Sequence, residues 1–205
     1  RFFNLGESGK IKTLNGSVSP ISFASSASNH TNGNGFINPE AIVESFELKP
    51  GMKVADFGSG SGHFTVLMAK KVAPNGVVTA LDILESTLEV IRSKAAANGL
   101  ANLQTVRADL EVYGSSGLPD YSQNLVLIAN ILFQSPKKQE ILKEAQRVLA
   151  SEGRLVVIEW KKDSGGLGPP VESRLNSEEV KNMAQSLGLT FMREIDAGTF
   201  HFELM

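Results

Sequence analysis

The sequence predicts an α/β protein with a doubly wound, mostly parallel sheet, and three observations support this prediction. From Pro39 onward, short apolar runs alternate with longer segments of helical pattern, which is typical of βαβ units. One run, at 125–129, is apolar throughout, as expected for a strand that is covered on both faces. A glycine-rich loop at 58–62 separates the first predicted strand from a helix, and such loops bind nucleotides in sheets of this kind.

Capping and turn residues bound the individual elements. Asn38 is suited to cap a helix whose first residue is Pro39. A turn is indicated at 74–76, and Asn98 with Gly99 is a suitable C-terminal cap. The predicted helices span about 39–46, 62–72, 85–97, 136–149 and 177–187, and the predicted strands span about 53–57, 77–81, 103–107, 125–129 and 154–160.

The end of the chain combines a helix with an antiparallel hairpin. Ser177 is predicted to cap the last helix. The hairpin is predicted at about 189–195 and 199–204, with its turn at 196–198. It adds an antiparallel edge to the sheet. Since neither an internal repeat nor a second domain is visible, residues 36–205 are predicted to form one domain.

Residues 1–35 differ in composition from the rest of the chain. Their larger part is dominated by Ser, Asn and Gly, which bury too little apolar surface to offset the entropy of ordering. One interpretation is a flexible segment, which we favour for residues 1–28. The other is a lid over the ligand site, which we favour around 33–39, where Phe36 and Ile37 are apolar anchors.

The composition excludes several classes of site. The chain has 205 residues, 41% of them hydrophobic, which suits one α/β domain with a complete core. It has no cysteine, so disulfides, thiolate nucleophiles and cysteine zinc sites are excluded. The three histidines, His30, His63 and His201, lack metal-ligand spacing, and a formal net charge of −2 argues against broad attraction to nucleic acid. Because no run is long enough for a membrane span and no signal peptide is recognisable, we expect a cytoplasmic protein without a membrane partner or a metal site.

The glycine loop is the most informative segment of the sequence. An apolar run ends in Asp56, and glycines follow at every second position, at Gly58, Gly60 and Gly62. Glycine lets the backbone approach a ligand closely. Dinucleotide-binding loops have glycine at the position that His63 occupies here, so the spacing argues against a dinucleotide. A tight turn without a ligand is the alternative interpretation.

The same pattern resembles motif I of the class I S-adenosylmethionine (SAM)-dependent methyltransferases. The resemblance covers about 38–205 and implies a Rossmann-like fold with a seven-stranded sheet whose last strand is inserted antiparallel. It implies SAM as the cofactor and S-adenosylhomocysteine (SAH) as the product. It also implies that the loop wraps the amino-acid moiety of SAM, with Asp56 near the ammonium. For His63, which begins the helix beside the cofactor, contact with the SAM carboxylate, a place in the wall of the acceptor pocket and simple packing all stay open, and a role as a base is disfavoured. The loop residues assigned to the cofactor are Asp56, Phe57, Gly58, Ser59, Gly60, Gly62 and His63.

Two further acids follow the next two predicted strands. Asp82 lies twenty residues after Gly62, a spacing typical of the acid that binds ribose hydroxyls, and Ile83 is suited to lie against adenine. The alternative for Asp82 is a helix N-cap. Asp109 and Leu110 follow the third strand, where resembling enzymes place an acid at the adenine amine and an apolar residue on the ring. The alternative for Asp109 is a solvated loop acid.

The methyl acceptor is expected at the end of the fourth predicted strand. Asn130 and Gln134 are candidates to orient a ligand there, and Phe133 is a candidate to line an apolar pocket, with packing inside the loop as the alternative for each. Asn130 is also assigned to the cofactor site. The segment lacks the N-P-P-Y/F motif of amino methyltransferases and the histidine that many small-molecule enzymes of this group carry. The catalytic residue is therefore unknown.

The segment after the fifth strand is similar to that of the ubiquinone/menaquinone biosynthesis methylase-like group. It contains Trp160 and two lysines, followed by G-P-P-x-E-x-R-L at 168–175. The two prolines stiffen a loop that we expect to border the acceptor mouth. Glu159 and Arg174 lie near this mouth in the sequence, and we expect both to be solvated surface charges.

The leading hypothesis is a SAM-dependent methyltransferase that acts on a small molecule, either aromatic or quinone-like. One alternative is an RNA or protein methyltransferase, because 33–39 is similar to the entry segment of tRNA adenine and isoaspartyl methyltransferases. Another is a non-catalytic protein that binds SAM or SAH, and a dehydrogenase ranks last because the glycine spacing is wrong. We expect a monomer or homodimer whose partner is the methyl acceptor, with nucleic acid disfavoured.

Overall fold

The computed structural model describes residues 37–163 and 166–205, and its strands and helices alternate along most of this length. The strands are β1 (Lys53–Phe57), β2 (Val77–Asp82), β3 (Leu103–Arg107), β4 (Gln123–Ala129), β5 (Leu149–Trp160), β6 (Glu194–Asp196) and β7 (His201–Leu204). The helices are α1 (Pro39–Ser45), α2 (His63–Val72), α3 (Glu85–Ala97), α4 (Lys138–Val148) and α5 (Ser177–Ser186), with short 3₁₀ turns at Leu132–Gln134 and Val171–Ser173.

The strands form one sheet in the order β3-β2-β1-β4-β5-β7-β6. The first five strands of the chain pair in parallel, whereas β7 pairs antiparallel with both β5 and β6. The predicted seven-stranded, mostly parallel sheet with an antiparallel C-terminal hairpin is therefore confirmed. The strand order reverses between β1 and β4. Open α/β sheets bind ligands at such a reversal, outside the carboxyl ends of the strands.

Alternating side chains of the central strands separate into two cores. In β4, Val126 and Ile128 pack with α4 and α5, whereas Leu125 and Leu127 pack with α1 and α2. Helix α3 packs Ile91 against β2. Successive side chains of a strand point to opposite faces, so a strand that is apolar throughout needs helices on both sides. This arrangement confirms the doubly wound fold.

Most predicted bounds are confirmed within one or two residues. The strands at 53–57 and 103–107 and the helix at 85–97 agree fully with the prediction. Asn98 caps the end of α3 as predicted. None of the helices within the described ranges has the length and apolar character that a membrane span requires.

The first described residues lead into α1. Asn38 is the N-cap, and its Oδ1 accepts the Ala41 N–H at 3.3 Å, which confirms the predicted cap. Ile37 is half-buried and packs against the core. The segment 1–35, which we predict to be flexible or a lid, lies outside the described residues, and so does Phe36.

Helix α4 and strand β5 differ from the predicted bounds. The helix starts two residues later than predicted, because the Ser135 hydroxyl accepts the Lys137 N–H at 2.9 Å and holds a turn before it. The strand starts at Leu149 instead of 154, because α4 leads directly into it and Leu149 already pairs with Gln123 of β4.

The last helix and the hairpin also differ in detail. Asn176, not Ser177, caps α5, because Asn176 and Glu179 form a reciprocal capping box with bonds of 2.7 and 3.0 Å. Strand β6 is limited to Glu194–Asp196, since the Leu189 N–H closes the last turn of α5 instead of entering the sheet. The turn was predicted at 196–198, but Asp196 still belongs to β6, so the turn begins after it.

Candidate active site

The glycine loop leaves β1 at the strand-order reversal and is tied to the end of β2. The N–H groups of Gly58 and Ser59 both donate to the Leu81 carbonyl, at 2.8 and 3.0 Å. The Gly62 N–H donates to the Ser59 carbonyl at 2.9 Å, and α2 begins at His63, whose side chain is exposed. The loop residues that we assign to the cofactor thus lie together at the carboxyl edge of the sheet.

The three glycines of the loop have positive φ but different surroundings. A Cβ on Gly58 would clash with the Ile131 side chain, and a Cβ on Gly62 would lie 2.7 Å from Cγ1 of Ile91. These two positions therefore allow close packing of the loop on its neighbours. Gly60 has a φ of +49°, and a Cβ there would meet nothing within 4 Å in the described part of the chain. The backbone at Gly60 faces open space, as a loop that wraps a ligand requires.

Asp56 lies near the end of β1 and is 2% exposed. The Thr65 hydroxyl donates to its Oδ2 at 2.5 Å. Burial raises the pKa of Asp56 to about 7 against the lowering effect of this hydrogen bond, and the nearby Asp82 carboxylate adds to the rise. A ligand cation would favour the charged form of Asp56. Phe57 is fully buried in the core, so at that position the backbone alone is available to a ligand.

Asp82 ends β2 and links the glycine loop to α3. Its Oδ2 accepts the Gly60 N–H at 3.0 Å, and its Oδ1 accepts the Leu84 N–H at 2.9 Å. The alternative of a helix N-cap is wrong, because Leu84 occupies that position. Ile83, which follows Asp82, is 53% exposed. An apolar side chain therefore lies in the open beside a half-buried carboxylate, which suits a nucleoside.

The segment after β3 carries Asp109 and Leu110. Asp109 is exposed, and its Oδ1 accepts the Glu111 N–H at 3.0 Å. Leu110 is buried and belongs to the core on the α4 side of the sheet. The Asp109 side chain therefore lies outside the core. Its contact with adenine stays a prediction, and so does the alternative, a solvated loop acid.

A buried ion pair that the sequence analysis missed holds this segment. Glu144 of α4 is fully buried and accepts the N–H groups of Gly114 and Ser116 at 2.7 and 3.2 Å. Arg147 bonds Glu144 at 2.9 Å and also donates to the Leu118 carbonyl at 2.9 Å. Burial acts to raise the pKa of Glu144, yet the hydrogen bonds from Arg147, Ser116 and Gly114 together lower it to about 2. In the sequence the two residues have the spacing of an ordinary surface pair on a helix, so no pattern could have found them.

The predicted acceptor-side residues lie in one turn after β4. Asn130 has a φ of +57°, and its N–H donates to the Ile158 carbonyl at 2.9 Å. Its Oδ1 is buried and has no hydrogen-bond partner among the described residues. Gln134 is exposed and donates from Nε2 to the Asn130 carbonyl at 2.8 Å, and Phe133 is half-buried. The intervening Ile131 contacts Gly58, so this turn lies beside the glycine loop.

Glu159 and Arg174 are not the solvated surface charges that we expected from the sequence. Both residues are buried: Glu159 is 0% exposed and Arg174 is 2% exposed. Glu159 Oε1 accepts the Leu132 N–H at 2.7 Å, and Arg174 donates to the carbonyls of Lys161 and Pro169 at 3.1 and 2.9 Å. The expectation was wrong because backbone groups of neighbouring loops reach both buried side chains, which composition does not reveal. Oε2 of Glu159 nevertheless has no hydrogen-bond partner among the described residues.

The segment after β5 folds back over Trp160. The guanidinium carbon of Arg174 lies 5.9 Å from the centroid of the Trp160 ring. A Cβ on Gly168 would lie 2.5 Å from the same ring, and the Leu167 carbonyl accepts a bond from Arg174 at 2.5 Å. The glycine-proline-proline loop is therefore held at the carboxyl end of β5, next to the strand that carries the acceptor-side turn.

Comparison with known proteins identifies the family. A protein-family model that is described as a methyltransferase domain matches residues 48–196 of this chain. The chain belongs to this methyltransferase family. The predicted membership among the class I SAM-dependent methyltransferases is thereby confirmed, and the predicted enzyme class and cofactor, SAM, are those of the family.

Curated relatives match about three fifths of the chain. The ubiquinone/menaquinone biosynthesis C-methyltransferase UbiE of Ectopseudomonas mendocina is 36% identical over 126 residues, which are 61% of this chain and 48% of the relative. UbiE of Shewanella sediminis is 33% identical over 121 residues, which are 58% of this chain and 47% of the relative. The chain thus spans about half the length of the curated relatives it matches.

Solved structures share the fold over most of the chain. A SAM dependent methyltransferase from Aquifex aeolicus has a TM-score of 0.74 and 28% identity, and the match covers 82% of this chain and 87% of that chain. CrArsM, an arsenic (III) S-adenosylmethionine methyltransferase from Chlamydomonas reinhardtii, has a TM-score of 0.63 and 24% identity, with 76% and 62% covered. The second likeness shows a common fold alone.

Proposed function

We propose that this chain binds SAM across the carboxyl ends of β1, β2 and β3 and transfers its methyl group to a small molecule, either aromatic or quinone-like. The observation that carries the proposal is the position of Gly60. Its backbone faces open space, and its N–H donates to Asp82 at 3.0 Å. Bare backbone and a carboxylate thus lie side by side, and these are the two kinds of contact that an amino-acid nucleoside needs.

Four side chains hold SAM in this proposal. Asp82 accepts hydrogen bonds from the ribose hydroxyls, Asp56 pairs with the ammonium, and Asp109 accepts a bond from the adenine amine. Ile83 lies against the adenine ring. The open position of Ile83 supports its role, and so does the raised pKa of Asp56, which a bound cation reverses.

The acceptor-side turn aligns the second substrate. SAM supplies a methyl group on a sulfonium centre, which is already an activated leaving group, so the chain has to align the acceptor and exclude water. The Asn130 Oδ1, which lacks a partner within the described ranges, is available to a hydroxyl or N–H of the acceptor. The half-buried Phe133 offers an apolar surface to a ring.

The proposed acceptor class rests on the relatives and on the chemistry of this turn. The two UbiE relatives are named as C-methyltransferases of ubiquinone and menaquinone biosynthesis. Methylation of a ring carbon forms a C–C bond, breaks the C–S bond and releases the ring proton to solvent. Residues 130–134 include no acidic side chain and no histidine. An acceptor that supplies its own nucleophilicity, as an electron-rich hydroxylated ring does, fits this turn.

Three experiments in sequence test the proposal. Calorimetric titration with SAH is expected to show binding, and a tight NADH complex without SAH binding contradicts it. The protein is then incubated with methyl-labelled SAM and a series of hydroquinones, and label is expected in the hydroquinone. With a fractionated cell extract, label in small molecules supports the proposal, and label in RNA or protein favours those classes instead. SAH binding without any transfer favours a non-catalytic binder.

A monomer or homodimer, a cytoplasmic location and the absence of a nucleic-acid partner stay predictions of the sequence. Light scattering after size-exclusion chromatography measures the oligomeric state. Retention on a heparin column at low salt gives a first test of nucleic-acid binding.

A further inference from the structure

Glu159 is a fully buried carboxylate that the proposed chemistry does not use. Glu159 is the penultimate residue of β5, and none of its surface is exposed. By the alternation of the strand it shares a face with Val157, which belongs to the core under α4 and α5. A carboxylate in such a place is costly unless several hydrogen bonds compensate it.

The compensating hydrogen bond comes from a backbone amide of the turn after β4. The Leu132 N–H donates to Glu159 Oε1 at 2.7 Å. Burial raises the pKa of Glu159 to about 7, against the lowering effect of nearby backbone amides, that of Leu132 first. A buried carboxylate oxygen that accepts a backbone N–H restrains the segment that carries this N–H, because breaking the bond would leave both groups unpaired. The carboxylate therefore sets the shape of this turn.

The same turn supports the glycine loop on its other side. The Ile131 side chain occupies the space in which a Cβ on Gly58 would lie. Asn130, at the start of the turn, is held in the left-handed region, with a φ of +57°. A shift of the turn therefore moves both the support under Gly58 and the acceptor-side amide of Asn130.

We infer that Glu159 is a positioning residue for methyl transfer: its carboxylate holds the turn after β4, so that Ile131 supports the glycine loop and Asn130 faces the acceptor side. The inference rests on the proposed function. Stability alone does not account for the carboxylate, because well-packed apolar residues usually stabilise a core at least as well as a buried charge. An apolar residue at position 159 would leave the Leu132 N–H without its acceptor.

The test compares Glu159→Ala and Glu159→Gln with a matched control, Glu203→Ala. Glu203 on β7 is also fully buried, but its Oε1 accepts the Ser45 hydroxyl of α1 at 2.8 Å instead of the turn. SAH affinity is measured by calorimetry, and amide hydrogen exchange at 131–133 is measured in the free protein. Both readouts are taken at a temperature where all variants are folded.

Glu159→Ala is expected to speed exchange at 131–133 at least tenfold and to weaken SAH binding at least tenfold. Glu159→Gln keeps an oxygen that accepts the Leu132 N–H, so it is expected to restore SAH affinity to within about threefold of the wild type. Glu203→Ala is expected to lower the melting temperature while SAH affinity stays within about twofold. A purely structural role for Glu159 would make the two alanine variants behave alike.

Three results overturn the inference: unchanged SAH affinity in Glu159→Ala, no restoration by a folded Glu159→Gln, or an equal affinity loss in Glu203→Ala. If Glu159→Ala does not fold, Glu159→Asp replaces it, because the shorter side chain withdraws the carboxylate from the Leu132 N–H. Unchanged affinity in that variant also overturns the inference. A wild-type protein that does not bind SAH overturns the proposed function together with the inference, whereas wild-type binding with an insensitive Glu159 overturns the inference alone.

Discussion

Adding a single methyl group at Gly60 tests the ligand-binding role of the glycine loop separately from its structural role. Gly60 has a φ of +49°, a Cβ there has no described neighbour within 4 Å, and its N–H is held by Asp82. The Gly60→Ala variant therefore adds a methyl group to the space that we assign to SAM without a clash inside the described protein. By contrast, a Cβ on Gly62 meets Ile91 at 2.7 Å, so substitution there disturbs packing.

The structure sets the expected magnitudes for Gly60→Ala. An alanine in the left-handed region costs about 1 kcal/mol. In a domain of this length that cost lowers the melting temperature by about 2–4 °C. The added methyl group keeps the ligand from close contact with the backbone, and we expect SAH affinity to fall at least 100-fold, which corresponds to about 2.8 kcal/mol. The loss of binding is thus expected to exceed the loss of stability.

Calorimetric titration with SAH and thermal unfolding measure the two effects in parallel. The matched control is Gly99→Ala, since Gly99 has a φ of +65° and open surroundings but lies just after α3, at the end of the helix away from Asp82. It is expected to lose similar stability and to keep wild-type SAH affinity. Near-wild-type SAH affinity in a folded Gly60→Ala protein would refute the assignment of the glycine loop to the cofactor.

Three further predictions concern acidic residues. Asp82→Ala is expected to abolish SAM binding while the fold survives, as measured by calorimetry and circular dichroism; a variant that binds normally contradicts the ribose assignment. Because burial raises the pKa of Asp56 to about 7 and the carboxylate form alone pairs with an ammonium, SAH affinity is expected to rise about tenfold per pH unit below pH 7 and to level off above it. Titrations over this pH range check the profile, and in Thr65→Val, which lacks a bond that lowers this pKa, the plateau moves to higher pH. Glu144→Ala leaves Arg147 without its buried partner and is expected to lower the free energy of unfolding by about 3–5 kcal/mol at neutral pH. The pKa of Glu144 is lowered to about 2 in the folded protein, so its contribution is present above its ordinary pKa of 4.5 and is lost as the pH falls towards 2. In urea unfolding the gap between wild type and variant should therefore narrow in acid, and a gap that does not change with pH argues against a folded-state ion pair.

The arrangement of the cofactor site could be predicted because it depends on chain order. Consecutive parallel strands end at the same edge of a sheet, so residues at or just after the carboxyl ends of β1, β2 and β3 necessarily lie near one another. Asp56, Asp82 and Asp109 were chosen from such positions, and the structure brings all three to that edge. Their contacts with SAM stay predictions.

Local detail was harder to predict where two neighbouring residues suit the same role. Asn176 and Ser177 are both good caps, and the reciprocal bonds with Glu179 select Asn176. Likewise, the apolar pattern at 189–195 fits a strand, but its first residue, Leu189, closes the last turn of α5. In both cases the competing structures differ by a hydrogen bond or two, which a sequence pattern does not resolve.

By itself, the sequence determined the order of strands and helices, the doubly wound sheet and the edge at which the ligand site lies, because these follow from apolar periodicity and from glycine and cap positions along the chain. Tertiary structure alone decided which charged side chains are buried. Glu159 meets the Leu132 amide across 27 positions and Glu144 meets the Gly114 amide across 30, and local composition marks both as surface residues. Burial of a charge depends on backbone groups that distant segments bring to it, and that information is absent from any short stretch of sequence.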